Sequence, residues 1–294
     1  MPDTEGLKAA NNYSVGVPAA NQCFYVKGAG HTDWGMKNRL SRIFDPKDGK
    51  TLMLAFDHGY FLGPMGGIER IDLDIPPLIE HIDVLMGTRG AIRSCLAPES
   101  AANKAVALRV SSGSSVLDED LSDEVIAVNM EDAIRMNAAV TAVQVFVGAP
   151  HESKSIENVS RVINAGNRYG IPTMGVVAVG KSMARDARYF RLATRMIAEF
   201  GAQIVKCYYC EGFETVASCC PVPIVIAGGK KLPEDEALEM CYKSMQCGAA
   251  GVDMGRNIFQ AGDPAAMAAA VRGIVHEGLN AAQAFEKYND LKKK

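Results

Sequence analysis

The stretch T-L-M-L-A-F-D-H-G-Y-F-L-G-P, residues 51–64, decides the fold. Its first half is a short apolar run of β type, as expected for a strand buried on both faces. The run does not lead into the G-x-G-x-x-G turn that an open doubly wound sheet wants after an early strand. An aspartate, a histidine and an aromatic pair stand there instead. The choice then rests on how often such runs recur.

They recur until there are eight. After 51–57 come I-D-V-L-M-G-T (82–88), A-V-A-L-R-V-S (105–111) and A-V-Q-V-F-V-G (142–148). The second half adds I-P-T-M-G-V-V-A (171–178), A-Q-I-V-K-C (202–207), P-V-P-I-V-I-A (221–227) and A-A-G-V-D-M-G (249–255). Between them, 131–138, 189–200 and 233–245 carry apolar residues at three- and four-residue intervals, the period of a helix with one buried stripe. Gly170, Gly201 and Gly248 each close a helical pattern before the next run. Eight alternating units in about 250 residues predict an α/β protein, a (β/α)8 TIM barrel. A further β-like run, V-I-A-V-N (125–129), blurs the count. The barrel is expected over 46–290, as the catalytic domain. Residues 1–45 form an N-terminal extension, in which W-G-M-K-N-R-L-S-R-I-F (34–44) predicts an amphipathic helix. That helix either plugs the bottom of the barrel or serves an oligomer contact. The tail L-K-K-K is expected to be frayed.

The 294 residues are 48% apolar and 22% charged, an ordinary globular balance. A formal charge of −3 gives no electrostatic reason to expect nucleic acid or an anionic membrane as partner. The opening M-P-D-T-E-G-L-K lacks the basic and apolar blocks of a signal peptide, and no apolar run approaches the ~20 residues that span a bilayer. A cytoplasmic chain is expected. Its eight cysteines then read as reduced thiols packed as small hydrophobes. Cys207 and Cys210 have C-x-x-C spacing, but Cys207 still belongs to a strand and no second close pair or histidine set completes a zinc site. No metal is expected.

Barrel enzymes carry their chemistry at the carboxyl ends of the strands. Those ends read Asp57-His58-Gly59, Thr88-Arg89, Lys206, Ala227-Gly228-Gly229-Lys230 and Gly255-Arg256-Asn257. The loops after the seventh and eighth strands are the customary phosphate pocket of this fold. Gly228, Gly229 and Gly255 let backbone N–H groups approach an anion, and Arg256 adds a planar fork of donors. Simple tight turns are the plainer account of these glycines.

Lys206 ends an apolar strand, where lysine is almost never found unless paired or put to use. It shares strand parity with Ile204. An amine in such surroundings gives up its proton more easily, and a neutral amine condenses with a ketone to an iminium, an electron sink for breaking the adjacent carbon–carbon bond. The plainer reading pairs Lys206 with Asp57 across the barrel. The two readings are compatible, because a nearby carboxylate is what proton shuttling needs. His58 should point away from the axis and pack. Tyr208 and Tyr209 either line the mouth or pack.

The motifs L-A-F-D-H-G, A-Q-I-V-K, P-V-P-I-V-I-A-G-G-K and G-V-D-M-G-R-N-I-F-Q resemble those of the archaeal-type class I aldolases, the deoxyribose-phosphate and fructose-bisphosphate aldolase family. W-G-M-K-N-R-L-S-R-I-F, M-L-A-F-D-H-G-Y-F and I-V-I-A-G-G-K-K-L-P are similar to its autoinducer-2-processing branch in particular. This resemblance covers almost the whole chain. It implies a thiolase that cleaves 3-hydroxy-5-phosphonooxypentane-2,4-dione with coenzyme A as co-substrate, giving dihydroxyacetone phosphate and acetyl-CoA. It places the Schiff-base lysine on Lys206, the strand-one aspartate on Asp57, and the phosphate loops on Gly228, Gly229, Gly255 and Arg256. It also implies a homo-oligomer, decamers being common in the group.

One departure bears on the reaction. The family's aldolases tend to carry a proton-transferring tyrosine near the end of strand five, and here Val177 is expected at that position. A retro-aldol needs a base to strip a hydroxyl proton, whereas a retro-Claisen cleavage needs a nucleophile at a ketone. The same lysine serves both. Cys207 should face the opposite side of the strand from Lys206, leaving Cys210 as the one thiol near the mouth. The alternatives are a true aldolase acting on a sugar phosphate without coenzyme A, and a non-enzymatic phospho-ligand binding protein.

Overall fold

The computed structural model describes Val17 and residues 23–179 and 184–292. The opening octapeptide and the last two lysines, on which the expectations about the termini rest, lie outside the described residues. Eight parallel strands close into a barrel: β1 (Thr51–Ala55), β2 (Val84–Thr88), β3 (Ala105–Arg109), β4 (Val140–Val145), β5 (Thr173–Val177), β6 (Ile204–Tyr208), β7 (Ile224–Ala227) and β8 (Gly251–Met254). Each pairs with its sequence neighbour, and β1 closes the ring on β8 with Leu52 opposite Val252. The run at 125–129 does not enter the barrel. Val125–Ile126 pairs antiparallel with Ser111–Ser112 as a separate ribbon.

Period-two alternation explains why these strands read as unbroken apolar runs. One parity, including Leu52, Leu54, Val205 and Val252, packs outward against the helices. The other, including Met53, Ala55, Met86, Ala107, Met174 and Ile204, fills the interior. Alanines at Ala55, Ala105, Ala107 and Ala142 leave room where eight inward faces converge. The helices fall where the periodicity put them, at Ala187–Glu199 and Glu234–Gln246. Glu152–Tyr169 ends on Gly170, whose φ of 69° is the left-handed cap that glycine adopts without strain. Met130–Arg135 stops three residues short of its pattern, where Asn137 takes a positive φ.

The first helix, α1 (Trp34–Ile43), starts on Asp33, whose carboxylate accepts from Met36 N at 2.8 Å. Its buried Met36, Leu40 and Ile43 join the interior cluster with Met53, Val84 and Val140. Arg39 donates to Gly170 O, just before β5, at 3.1 Å. The helix therefore plugs the amino-terminal end of the barrel, leaving Trp34 78% exposed. Among the described residues no helix is long and apolar enough to cross a membrane.

Candidate active site

Lys206 follows Ile204 onto the inward face of β6 and is 7% exposed. Its Nζ lies 2.8 Å from Asp253 Oδ2 and 3.5 Å from Met86 Sδ. Asp253 sits within β8, opposite Met53 of β1 and Ala227 of β7, and its side chain is wholly buried. Apart from this ion pair, neither carboxylate oxygen has a hydrogen-bond partner among the described residues. Burial pushes the Asp253 carboxyl above its ordinary value, and Lys206 offsets this only in part.

The expected pairing of Lys206 with Asp57 is corrected here. Asp57 lies two residues past β1, where Arg109 Nε donates to its Oδ2 at 2.8 Å. Burial alone would raise Asp57, but Arg109, His58 and Lys206 together hold it below the usual carboxylate range. Arg109 ends β3 with the inward parity of Ala105 and Ala107, and is itself buried. Two carboxylates and two cations thus share one mouth. Asp57 is clamped by its arginine. Asp253 has only the lysine.

The loops after β7 and β8 meet beside this group. Asn257, fully buried, donates from Nδ2 to Gly228 O at 2.7 Å and accepts from Leu232 N at 2.8 Å, stapling one loop to the other. Gly229 has φ 70°, and a Cβ built on it would stand 3.7 Å from the Tyr208 ring. Tyr208 lies two residues beyond Lys206, which ties the cradle to the lysine. Gly255 has a different reason to be glycine: a Cβ there would meet Ala55 O at 2.4 Å and His58 Cε1 at 2.6 Å. Arg256 keeps a buried Nε with no hydrogen-bond partner among the described residues, a donor suited to an anion.

His58 packs as expected. Its ring meets Phe259 edge-on at 5.7 Å, and burial depresses its pKa to about 4, against the pull of Asp57. Lys206, Arg256 and Arg109 all lower it further, which places His58 within the field of all three cations. Val177 does not hold the position expected of it. It faces the outer helices, and the inward residue of β5 in register with Lys206 is Val176. No hydroxyl stands at either position. Thr88 caps the helix Arg89–Cys95, and Arg89 pairs with Asp132 at 2.5 Å, so that strand end serves structure. Tyr209 packs on Phe213, and Lys230 is exposed. The Cys207 thiol faces the outer layer, and burial raises it and the Cys210 thiol above ordinary values, so neither is poised as a thiolate.

Sequence reasoning missed Asp253 and Arg109, and it placed Asn257 at a strand end without giving it a role. It also missed Tyr60 and Glu124. The Tyr60 hydroxyl lies 2.8 Å from both Glu124 Oε1 and Gln144 Oε1, and its ring lies 5.3 Å from the Arg109 guanidinium carbon.

Comparison with known proteins bears on the family and the fold. A profile described as DeoC/LacD family aldolase matches residues 51–261. The 3-hydroxy-5-phosphonooxypentane-2,4-dione thiolase of Enterobacter sp. (strain 638) is 56% identical over 293 residues, covering 99% of this chain and 98% of that protein. The protein of the same name from Photorhabdus laumondii is 56% identical over 98% of each. The crystal structure of an archaeal fructose 1,6-bisphosphate aldolase superposes with a TM-score of 0.74 at 23% identity, covering 83% of this chain and all of that one, a likeness of fold.

Proposed function

The chain belongs to the DeoC/LacD aldolase family, and we propose that within it the chain is a thiolase. It would cleave 3-hydroxy-5-phosphonooxypentane-2,4-dione with coenzyme A to dihydroxyacetone phosphate and acetyl-CoA, in autoinducer-2 catabolism. The observation that carries this is Lys206, inward, buried and 2.8 Å from Asp253. Residues 46–290 are read as the catalytic barrel and 1–45 as its extension.

The phosphate binds at Gly228, Gly229, Gly255 and Arg256, which brings C4 of the diketone to Lys206. The ammonium passes a proton to Asp253, and the freed amine attacks the C4 carbonyl. Loss of water leaves an iminium. Thiolate addition at C2 then lets the C2–C3 bond break, its electron pair entering the iminium to give an enamine. Acetyl-CoA departs, and protonation followed by hydrolysis releases dihydroxyacetone phosphate. Asp57, fixed by Arg109, supplies a standing negative charge that favours the cationic iminium. Val176 cannot take a hydroxyl proton, which supports carbon–carbon cleavage through an added thiol rather than a retro-aldol.

A class I aldolase acting on a sugar phosphate is the second reading, favoured by the Tyr60 phenol at the mouth. A coupled assay for acetyl-CoA separates the two. Wild type should form it only with coenzyme A, Lys206→Met should fall to background, and borohydride should trap substrate on Lys206. Product release without coenzyme A would establish the aldolase. The enzyme is further read as cytoplasmic and homo-oligomeric, with exposed Trp34 as the contact.

A further inference from the structure

We propose that Arg109, Tyr60 and Glu124 form the acyl half of the site, where Glu124 takes the thiol proton of coenzyme A and Arg109 receives the charge that develops on the C2 oxygen. This assignment rests on the thiolase reading.

Position is the first support. The strands run round the ring in chain order, so β3 lies four places from β7, on the far side of the mouth. The phosphate cradle belongs to β7 and β8, and Lys206 to β6. A substrate held by a C5 phosphate and joined through C4 therefore extends C2 toward the strands opposite, where Arg109 ends β3 and Gln144 lies on β4. Gln144, Val176 and Lys206 stand in register across β4, β5 and β6, so this cluster is at the depth of the amine.

The second support is unpaired chemistry. Arg109 Nη1 and Glu124 Oε2 are buried and have no hydrogen-bond partner among the described residues, in side chains 6% and 2% exposed as residues. One is a donor and the other an acceptor. Leaving such groups unmet in the folded protein is costly, and native sites do so where a ligand supplies the partner. The tyrosine hydroxyl has one proton and two oxygen neighbours. Turning the Gln144 amide so that Nε2 donates to Tyr60 frees that proton for Glu124 Oε1. Glu124 is then fixed by one oxygen and available through the other. Neither other carboxylate can serve, because Asp57 is bound to Arg109 and Asp253 to Lys206.

Access is the third. A cleft of about 540 Å³ is lined by Asp57 and Tyr60 of this group together with apolar Phe56, Ile68 and Ile71 and charged Glu69, Arg70 and Asp72. Apolar and polar stretches of this kind suit the thiol arm of coenzyme A, whose chain alternates methylenes and amides.

The step balances. The Glu124 carboxylate takes the S–H proton, and the thiolate adds to C2, placing its carbonyl pair on oxygen beside Arg109. Collapse reforms the carbonyl and breaks C2–C3 into the Lys206 iminium. The proton held by Glu124 then passes to C3 of the enamine, so the hydrogen lost by the thiol ends on dihydroxyacetone phosphate.

The test uses full-length Glu124→Gln, close in shape and able to keep the Tyr60 contact. Three quantities are read: acetyl-CoA formation, the borohydride adduct of dihydroxyacetone phosphate on Lys206, and exchange of that ligand's hydroxymethyl hydrogen with D2O by NMR. The first and third should fall together by about 100-fold or more, with the adduct unchanged. Arg109→Lys should lose acetyl-CoA formation by a much larger factor than it loses adduct or exchange, the smaller losses coming from the loosened clamp on Asp57. An E124Q variant forming acetyl-CoA within about threefold of wild type overturns the assignment, as does one that loses the adduct too. A wild type that gives no adduct or needs no coenzyme A overturns the thiolase reading and this assignment with it, so the two failures are told apart.

Discussion

The pairing of Lys206 with Asp253 rather than Asp57 can be weighed by a double-mutant cycle. At 2.8 Å and an effective dielectric of about 20, the attraction is about 6 kcal/mol before desolvation is subtracted. Removing one partner of a buried pair costs about 3–5 kcal/mol, because the other charge is left unmet. Asp253→Asn leaves the ammonium beside Met86 Sδ, a weak acceptor, and should show the full loss. Lys206→Met should cost less, since Asp253, already raised by burial, escapes by taking a proton. The double variant buries no charge and should recover at least about 2 kcal/mol over the sum of the two single losses. The parallel cycle of Lys206→Met with Asp57→Asn should show a smaller coupling than the Asp253 cycle, because the direct partner of Asp57 is Arg109 and Lys206 acts on it only through the field. Urea unfolding at one fixed protein concentration reads both cycles. Additivity through Asp253, or a larger coupling through Asp57, would refute the reasoning.

Three further outcomes are expected. His276 holds Asp48 and Asp83 at 2.8 Å on its two ring nitrogens; burial opposes its charge, but these bonds win and raise its pKa above 6.5. Its stabilisation should be complete below pH 6.5 and lost as pH rises through the raised value, so the gap between wild type and His276→Gln in urea unfolding should close with increasing pH. His58 should remain neutral down to about pH 4 by NMR titration; since the unfolded chain takes that proton near 6.5, its contribution falls as pH drops between those values, and titration near 6.5 in the folded protein would contradict its burial. Gly255→Ala drives a Cβ against Ala55 O and should lower stability by about 1–3 kcal/mol, whereas Gly228→Ala meets only Asn257 Nδ2 at 3.2 Å and Met254 Cγ at 3.3 Å and should fold while weakening phosphate-ligand binding; the two are separated by thermal unfolding and calorimetry.

The barrel was legible because each strand is buried on both faces and each helix on one, and burial is what apolar patterning records. The lysine was legible for the same reason, as a charge where none belongs. The same question asked of A-L-R-V and G-V-D-M would have found Arg109 and Asp253, since both have inward parity and both interrupt apolar strands. Asp253 was harder to notice because a glycine-flanked aspartate reads as turn chemistry until β8 is placed. Tyr60 and Glu124 come from segments with no strand period, and only tertiary placement brings residues 64 apart within 2.8 Å. Val177 shows the limit of strand reading: a slip of one residue turns a side chain from the mouth to the helix layer, although with Val176 beside it the inference that no hydroxyl stands there survives the slip.

Two aspartates of equal intrinsic acidity are set to different tasks by their neighbours. Asp57 has a buried arginine aligned to it and lies below the usual range, which favours its charged form. Asp253 lies above that range because burial penalises its charge, which makes it the better proton acceptor of the two. A lysine paired with a fully ionised, well-bonded carboxylate would be held as ammonium and would be a poor nucleophile. An Asp253 carboxyl raised by burial and 2.8 Å from Nζ is instead an acceptor within reach of the ammonium proton. Asp253→Asn removes that acceptor at nearly constant shape and should lose the borohydride adduct on Lys206, whereas an adduct formed at the wild-type rate would show that the proton leaves by another route.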